Sequence, residues 1–271
     1  MTSAFDELAA AYDREFTDTV TGSLMRRAVW RRMDARFRPG QRILELNCGT
    51  GEDAIHLAQS GVSVLATDRS PEMVKAAAAK LSRRGLAGVV DVETLAWEEL
   101  DRLPEAAFDG ALSNFGGLNC VQDLGGAAAA LARRLRPGAP VILCVMGPWC
   151  VWEWLWFGLR GKPHQAFRRL RSGAEWRGIR LQYPSAGVLQ RRWKPWFAPL
   201  RVSALGLLAP PPFAEGWASR HQRAVNLLDR WERRIESLPL APRFADHYVC
   251  ELSKRPLPSA TARSLGTAPR L

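Results

Sequence analysis

The stretch Arg42–Asp53, RILELNCGTGED, decides how the rest of the chain is read. A short apolar run leads into a turn with small residues at Asn47, Gly49 and Gly51, and two carboxylates, Glu52 and Asp53, open the next element. This is the layout of a buried strand, a tight turn and a helix N terminus, which together can receive a nucleotide. The dinucleotide spacing G-x-G-x-x-G is not met, because the third small residue comes one place early. Two carboxylates in the first helical turn also oppose a pyrophosphate where the helix dipole would attract one. A nucleoside without phosphates fits the turn better. Asn47 stands where a glycine is expected. Asparagine is among the few residues that visit the left-handed region at modest cost, so the turn can tolerate it.

Working outward, the first 38 residues read as helical. Phe5, Leu8, Ala9 and Tyr12 form one apolar stripe, and Leu24, Met25, Ala28, Val29 and Met33 form another near 22–37. After Pro39-Gly40, strands and helices alternate. Strands are expected at 42–46, 62–68, 88–95, 108–114 and 140–147. Helices are expected from about Glu52 to Gln59, from Ser70-Pro71 to about Arg84, and over 125–135. Strands separated by helices of about ten residues make right-handed βαβ units around a parallel sheet. The pattern resumes with a strand at 200–208, a helix over about 215–237 and a last strand from His247. The expected fold is therefore α/β, a Rossmann-like, doubly wound, mostly parallel seven-stranded sheet with N-terminal helices. A Trp/Arg-rich cap is inserted after the fifth strand. Its expected divisions are 1–148 for the N-terminal helices and cofactor half, 149–201 for the cap, 202–255 for completion of the sheet and 256–271 for a disordered tail.

The chain has 271 residues, 47% hydrophobic and 24% charged, the composition of a globular protein. Its net charge of +11 is uneven. Residues 1–150 carry 17 basic and 19 acidic side chains, whereas 151–201 carry 11 basic and 2 acidic. The second segment faces something anionic, or is a solvated surface. The five cysteines are scattered without zinc-ligand spacing. They read as free, mostly buried thiols in a reducing cytoplasm, and no metal is expected. The N terminus is acidic and amphipathic, without the form of a signal peptide.

The spaced features together resemble the class I S-adenosylmethionine-dependent methyltransferases, whose loop is an acidic residue followed by G-x-G-x-G. ELNCGTG matches it except at Asn47. Asp68 ends the second strand 17 residues after Gly51, and Ser70-Pro71-x-Met73 follows. FDGALSNF and LRPGAPVIL resemble the fourth strand and the helix, turn and fifth strand. The resemblance covers residues 1–148 well and the last strand loosely. It implies S-adenosylmethionine as cofactor and a role for each matched residue. Glu45 would meet the methionyl ammonium, and Gly49 and Gly51 would admit the backbone close to the ligand. The Asn47 amide would reach the cofactor's amino-acid end. Asp68 would hold the ribose, Arg69 would flank the adenine, and Met73 belongs to the same helix start. Leu95, Ala96 and Trp97 would cover the adenine, with Glu98 or Glu99 near its amino group. Asn114 would lie near the sulfonium, and Tyr12 would close over the cofactor, its alternative being a core aromatic.

Methyl transfer is an in-line displacement on an already activated group, so positioning supplies much of the acceleration, and a base is needed only for an acceptor that must lose a proton early. His221, His164 and Tyr183 are the candidate bases, and His221 is chosen because it lies where the chain returns to the sheet's substrate edge. His56 and His247 read as structural. SNFGG lacks the Asn/Asp-Pro-Pro-aromatic pattern of amino-group methylases of nucleic-acid bases. Trp149, Trp152, Trp154, Trp156 and Phe157, followed by Arg160, Lys162, Arg168, Arg169 and Arg171, decide the acceptor. They read as a lid over a small, largely apolar or lipid-like metabolite, with peripheral membrane contact through 149–171 as a variant of that reading. The alternative is an RNA methyltransferase whose aromatics stack bases and whose arginines hold phosphates. Residues 141–159 do not read as a membrane span, since 140–147 is needed as a strand and Pro148 and Glu153 interrupt the remainder.

Overall fold

A computed structural model describes residues 4–170 and 174–256. The expected tail from residue 257 onward, and Arg171, lie outside the described residues. The frame is a seven-stranded sheet in the order β3-β2-β1-β4-β5-β9-β8. Its strands are β1 (Arg42–Leu46), β2 (Ser63–Asp68), β3 (Val90–Thr94), β4 (Gly110–Ser113), β5 (Pro140–Met146), β8 (Phe197–Leu205) and β9 (His247–Lys254). The first five pair in parallel, and β9 runs antiparallel to both β5 and β8. β1 lies in the interior of the sheet, and four of its five residues are buried, Leu44 and Leu46 in the core on one face and Ile43 in the core on the other.

Helices α3 (Glu52–Gln59), α4 (Pro71–Arg83) and α5 (Leu124–Arg134) cross between the parallel strands. Ser70 caps α4 by accepting from the Met73 amide, with Pro71 at the first helical position, as its sequence requires. The two helices expected in the first 38 residues are present, the first of them short. α1 (Ala4–Leu8) is separated by a π-type turn over Asp13–Thr17 from α2 (Val20–Arg36). The apolar stripe of the second helix is core, since Leu24, Met25, Ala28, Val29 and Met33 are all buried. Phe5 and Tyr12 instead line a cavity, so the chain bends over the sheet edge rather than packing straight upon it.

The segment after β5 holds α6 (Val151–Gly158), α7 (Pro163–Ala166), the hairpin β6 (Ala174–Trp176) and β7 (Ile179–Leu181), and α8 (Ala186–Trp193). β8 starts at Phe197, inside the segment assigned to the cap, because Phe197 belongs to the core beside Trp193 and Tyr248. The helix expected over 215–237 is split into α9 (Glu215–Ala218) and α10 (Gln222–Ile235). Glu215, the first residue of α9, reaches back to accept from the Val20 amide at 3.0 Å and the Thr21 amide at 2.9 Å, finishing the N terminus of α2. The short α11 (Ala241–Phe244) precedes β9. Among the described residues, no helix is long and apolar enough to cross a membrane.

Candidate cofactor and acceptor site

The turn after β1 has the conformation its residues suggested. Asn47 is left-handed at φ 60°, followed by Gly49 at 54° and Gly51 at 83°. The Asn47 side chain is engaged within the protein. Its Oδ1 accepts from Trp97 Nε1 at 2.7 Å and from Ser113 Oγ at 3.1 Å. It fills space left by a second glycine, since a Cβ on Gly117 would lie 2.3 Å from Asn47 Cγ. Gly51 is equally constrained, because a Cβ there would come within 3.1 Å of Ala77 Cβ.

The carboxylates of the first α3 turn are not free charges. Glu52 accepts from Lys80 at 2.9 Å. Asp53 accepts from Arg26 at 3.0 Å, Trp30 Nε1 at 2.7 Å and Asn114 Nδ2 at 2.8 Å. Their repulsion of a phosphate is thus largely neutralised inside the fold, and the spacing of the turn and the carboxylate ending β2 remain as the argument for an unphosphorylated nucleoside.

A cavity of about 280 Å³ opens beside this turn. Of the residues picked from the sequence, Tyr12, Asn47, Gly49, Asp68, Arg69, Met73 and Asn114 line it. Phe115, Gly116 and Met146 form its wall at the ends of β4 and β5, and Arg168, Leu181 and Tyr183 close it from the cap. The Tyr12 ring lies over the turn, with a Cβ on Gly49 falling 3.7 Å from it. Asp68 accepts from the Gly49 amide at 3.0 Å and the Ser70 amide at 2.9 Å, which leaves one lone pair on each oxygen for a diol. Burial pushes its pKa up, against those two amides.

Glu45, Gly51, Ala96 and Trp97 do not line the cavity. Glu45 is 1% exposed, its Oε2 has no partner among the described residues, and its carboxyl is pushed well above the usual range by burial and then by Asp53, with Arg26 opposing. Asn114 Oδ1 is also a buried acceptor without a partner among the described residues. Two orphaned acceptors on neighbouring strands suit a ligand that brings N–H donors and positive charge, as a methionyl ammonium does. Trp97 is held in the core against Trp193 and bonded to Asn47, and Ala96 caps the short 3₁₀ helix over Trp97–Arg102. Glu99 is spent on the Ala96 amide and Arg102.

His221 does not reach the site. It is exposed at the start of α10, stacked on Trp217 with ring centroids 5.0 Å apart and bonded to the Trp217 carbonyl at 2.9 Å. Its position near the sheet edge in sequence is used to turn the chain between α9 and α10. His56 pairs with Asp34 at 2.7 Å, His247 with Asp246 at 3.0 Å, and His164 sits on the exposed α7.

Sequence reasoning missed the anchor of the cap. Glu153, 1% exposed on α6, accepts from Arg168 Nη2 at 2.6 Å and from Arg169 Nε at 3.0 Å. Arg169 also donates to the Asp246 carbonyl at 2.7 Å and the Gly147 carbonyl at 3.3 Å, and pairs with the Asp246 carboxylate. Burial alone would raise the Asp246 pKa, but Arg169 and His247 outweigh it and hold that carboxyl well below its ordinary value. The cap is thereby fastened to the ends of β5 and β9.

A β1–α3 glycine turn, an acid closing β2 and this strand order share the layout of class I S-adenosylmethionine-dependent methyltransferase domains. Residues 43–138 match the methyltransferase domain family. The chain is 36% identical over 149 residues to a demethylmenaquinone methyltransferase of Clavibacter sepedonicus, covering 53% of this chain and 57% of the relative. It is 33% identical over 145 residues to a 2-phytyl-1,4-naphtoquinone methyltransferase of Synechococcus elongatus, covering 50% and 58%. The chain thus spans less than two thirds of the curated relatives it matches. In fold it is similar to the cyclase SpnF, with TM-score 0.58 at 20% identity over 85% of this chain and 82% of that one. It is also similar to an S-adenosylmethionine-dependent methyltransferase from Mesorhizobium loti, with TM-score 0.55 at 18% identity over 83% and 97%.

Proposed function

We propose that this protein transfers the methyl group of S-adenosylmethionine to an O, N or C atom of a small, largely apolar, quinone- or lipid-like metabolite. The observation that carries the reading is one cavity with the cofactor turn on one wall and the cap on the other. The quinone relatives support the acceptor class. When bound, the cofactor supplies an activated methyl group on sulfur. Asp68 would hold the ribose, and Glu45 and Asn114 the ammonium. Tyr12 and Phe5 cover the turn and exclude water, and Phe115, Met146 and Leu181 offer an apolar bed for the acceptor. Holding the two reactants in line is the main service required of such a site. Calorimetry with S-adenosylhomocysteine tests the cofactor half. Wild type should bind and Asp68→Ala should not, and equal affinity would refute the ribose assignment.

Peripheral membrane contact is favoured by a specific surface. Leu155 and Leu159 on and after α6 are 56% and 85% exposed, and Phe167 and Leu170 are exposed among Arg160, Lys162 and Arg168. Apolar and cationic side chains together suit an anionic lipid interface, and a lipid-like acceptor would be met there. RNA binding, the other use of such a surface, predicts affinity for mixed RNA that falls steeply with salt; absence of binding at moderate salt removes it.

A further inference from the structure

The cap brings two polar side chains to the cavity whose hydrogen-bonding capacity the fold does not use up. Arg168 follows α7 at the cavity mouth, its side chain 46% exposed. Glu153 fixes its guanidinium through Nε at 3.2 Å and Nη2 at 2.6 Å. Nη1 donates to no atom of the described residues. Tyr183, beside it, also lines the cavity, and its hydroxyl has no hydrogen-bond partner among the described residues. The Arg169 guanidinium, paired with Glu153 and Asp246, lies 5.5 Å from the Tyr183 ring centroid. The Arg168 side chain is 46% exposed and Tyr183 is partly exposed, so neither is sealed in the protein. Burial raises the Tyr183 pKa, against the pull of Arg168 and Arg169, which makes its hydroxyl a donor at neutral pH and not a base. Leu181, Phe115 and Met146, all apolar, line the same cavity.

We propose that Arg168 and Tyr183 form a binding site for an ionised oxygen of the methyl acceptor, which selects a phenolate, enolate or carboxylate carried on an apolar body. This rests on the methyltransferase reading of the cavity. A guanidinium held rigid by a buried carboxylate loses little freedom on meeting an anion, and charge-assisted bonds are the stronger class. An oxygen nucleophile that enters ionised has no proton left to lose, which accounts for a cavity lined by no histidine among the described residues.

The test is calorimetric titration of protein saturated with S-adenosylhomocysteine, using 2-naphthoate, 1-hydroxy-2-naphthoate and the neutral 2-naphthamide. Wild type should bind at least one of the two anions about tenfold or more tighter than the amide. Arg168→Gln should lose on the order of 10- to 100-fold in anion affinity, and Tyr183→Phe about 3- to 10-fold. Arg168→Lys should recover part of the loss, and S-adenosylhomocysteine affinity should stay within about twofold in all three variants. Equal binding of amide and anions by wild type, or undiminished anion binding by Arg168→Gln, overturns the proposal and leaves the methyltransferase reading standing. Failure of wild type to bind S-adenosylhomocysteine defeats that reading and this proposal with it.

Discussion

Asn47 and Gly117 occupy one another's space, and replacing Gly117 with alanine tests how tightly. The new methyl would overlap the Asn47 side chain, with contacts of 2.3 Å to both Cγ and Oδ1. The amide must leave, and it takes with it the acceptor for Trp97 Nε1 and for Ser113 Oγ. Stranding the indole donor costs about 1–3 kcal/mol, and residual crowding adds about 1 kcal/mol or more. Gly117→Ala should therefore destabilise by roughly 2–4 kcal/mol. Asn47→Gly strands the same donors but relieves a non-glycine residue at φ 60°, so its net cost should be about 1–2 kcal/mol. In the double variant the alanine methyl enters space the asparagine has vacated. Its added cost should be below about 1 kcal/mol, giving a favourable coupling of about 1–3 kcal/mol. Urea unfolding followed by tryptophan fluorescence measures all four corners of the cycle. Strictly additive costs would refute the interlock.

Three further outcomes follow from charges inside the fold. Glu153→Ala leaves Arg169, 5% exposed, with Asp246 alone, and should cost about 3–5 kcal/mol in chemical unfolding. Glu45→Gln should raise the melting temperature of the cofactor-free protein by a few degrees at pH 8 and not at pH 4. The sign follows from a folded-state pKa held above the unfolded value, so that ionisation opposes folding as pH rises through that window; the same variant should bind S-adenosylhomocysteine more weakly by calorimetry. Asp246 has the opposite sign. Its depressed pKa stabilises the fold above the unfolded value near 3.8, and that contribution fades as pH falls below about 4, so Asp246→Asn should flatten the acid limb of a stability–pH curve.

What could be read from the sequence was what is decided locally. The β1 turn, the Ser70 cap and the alternation of strands up to Met146 depend on neighbours within a few positions. Asn47 was recognisable as left-handed for the same reason. The helix breaks at 9–19 and 219–221 were hidden, because Phe5 and Tyr12 keep a helical spacing while facing a cavity, and the His221 ring folds back onto Trp217 and its carbonyl. Arg168 and Arg169 could not be told from Arg160 by composition. Burial against Glu153, 15 and 16 positions away, and Asp246, 77 positions away from Arg169, separates them.

The rivet of Glu153, Arg169 and Asp246 has a practical meaning for anyone redesigning this scaffold. Because it joins the cap to β5 and β9 through Glu153 and Arg169, the stretch between those two residues, 154–167, can be rebuilt as an exchangeable cassette. The exposed apolar and cationic surface it carries could then be retuned by grafting there, with methyl-donor affinity serving as the internal control that the chassis is intact.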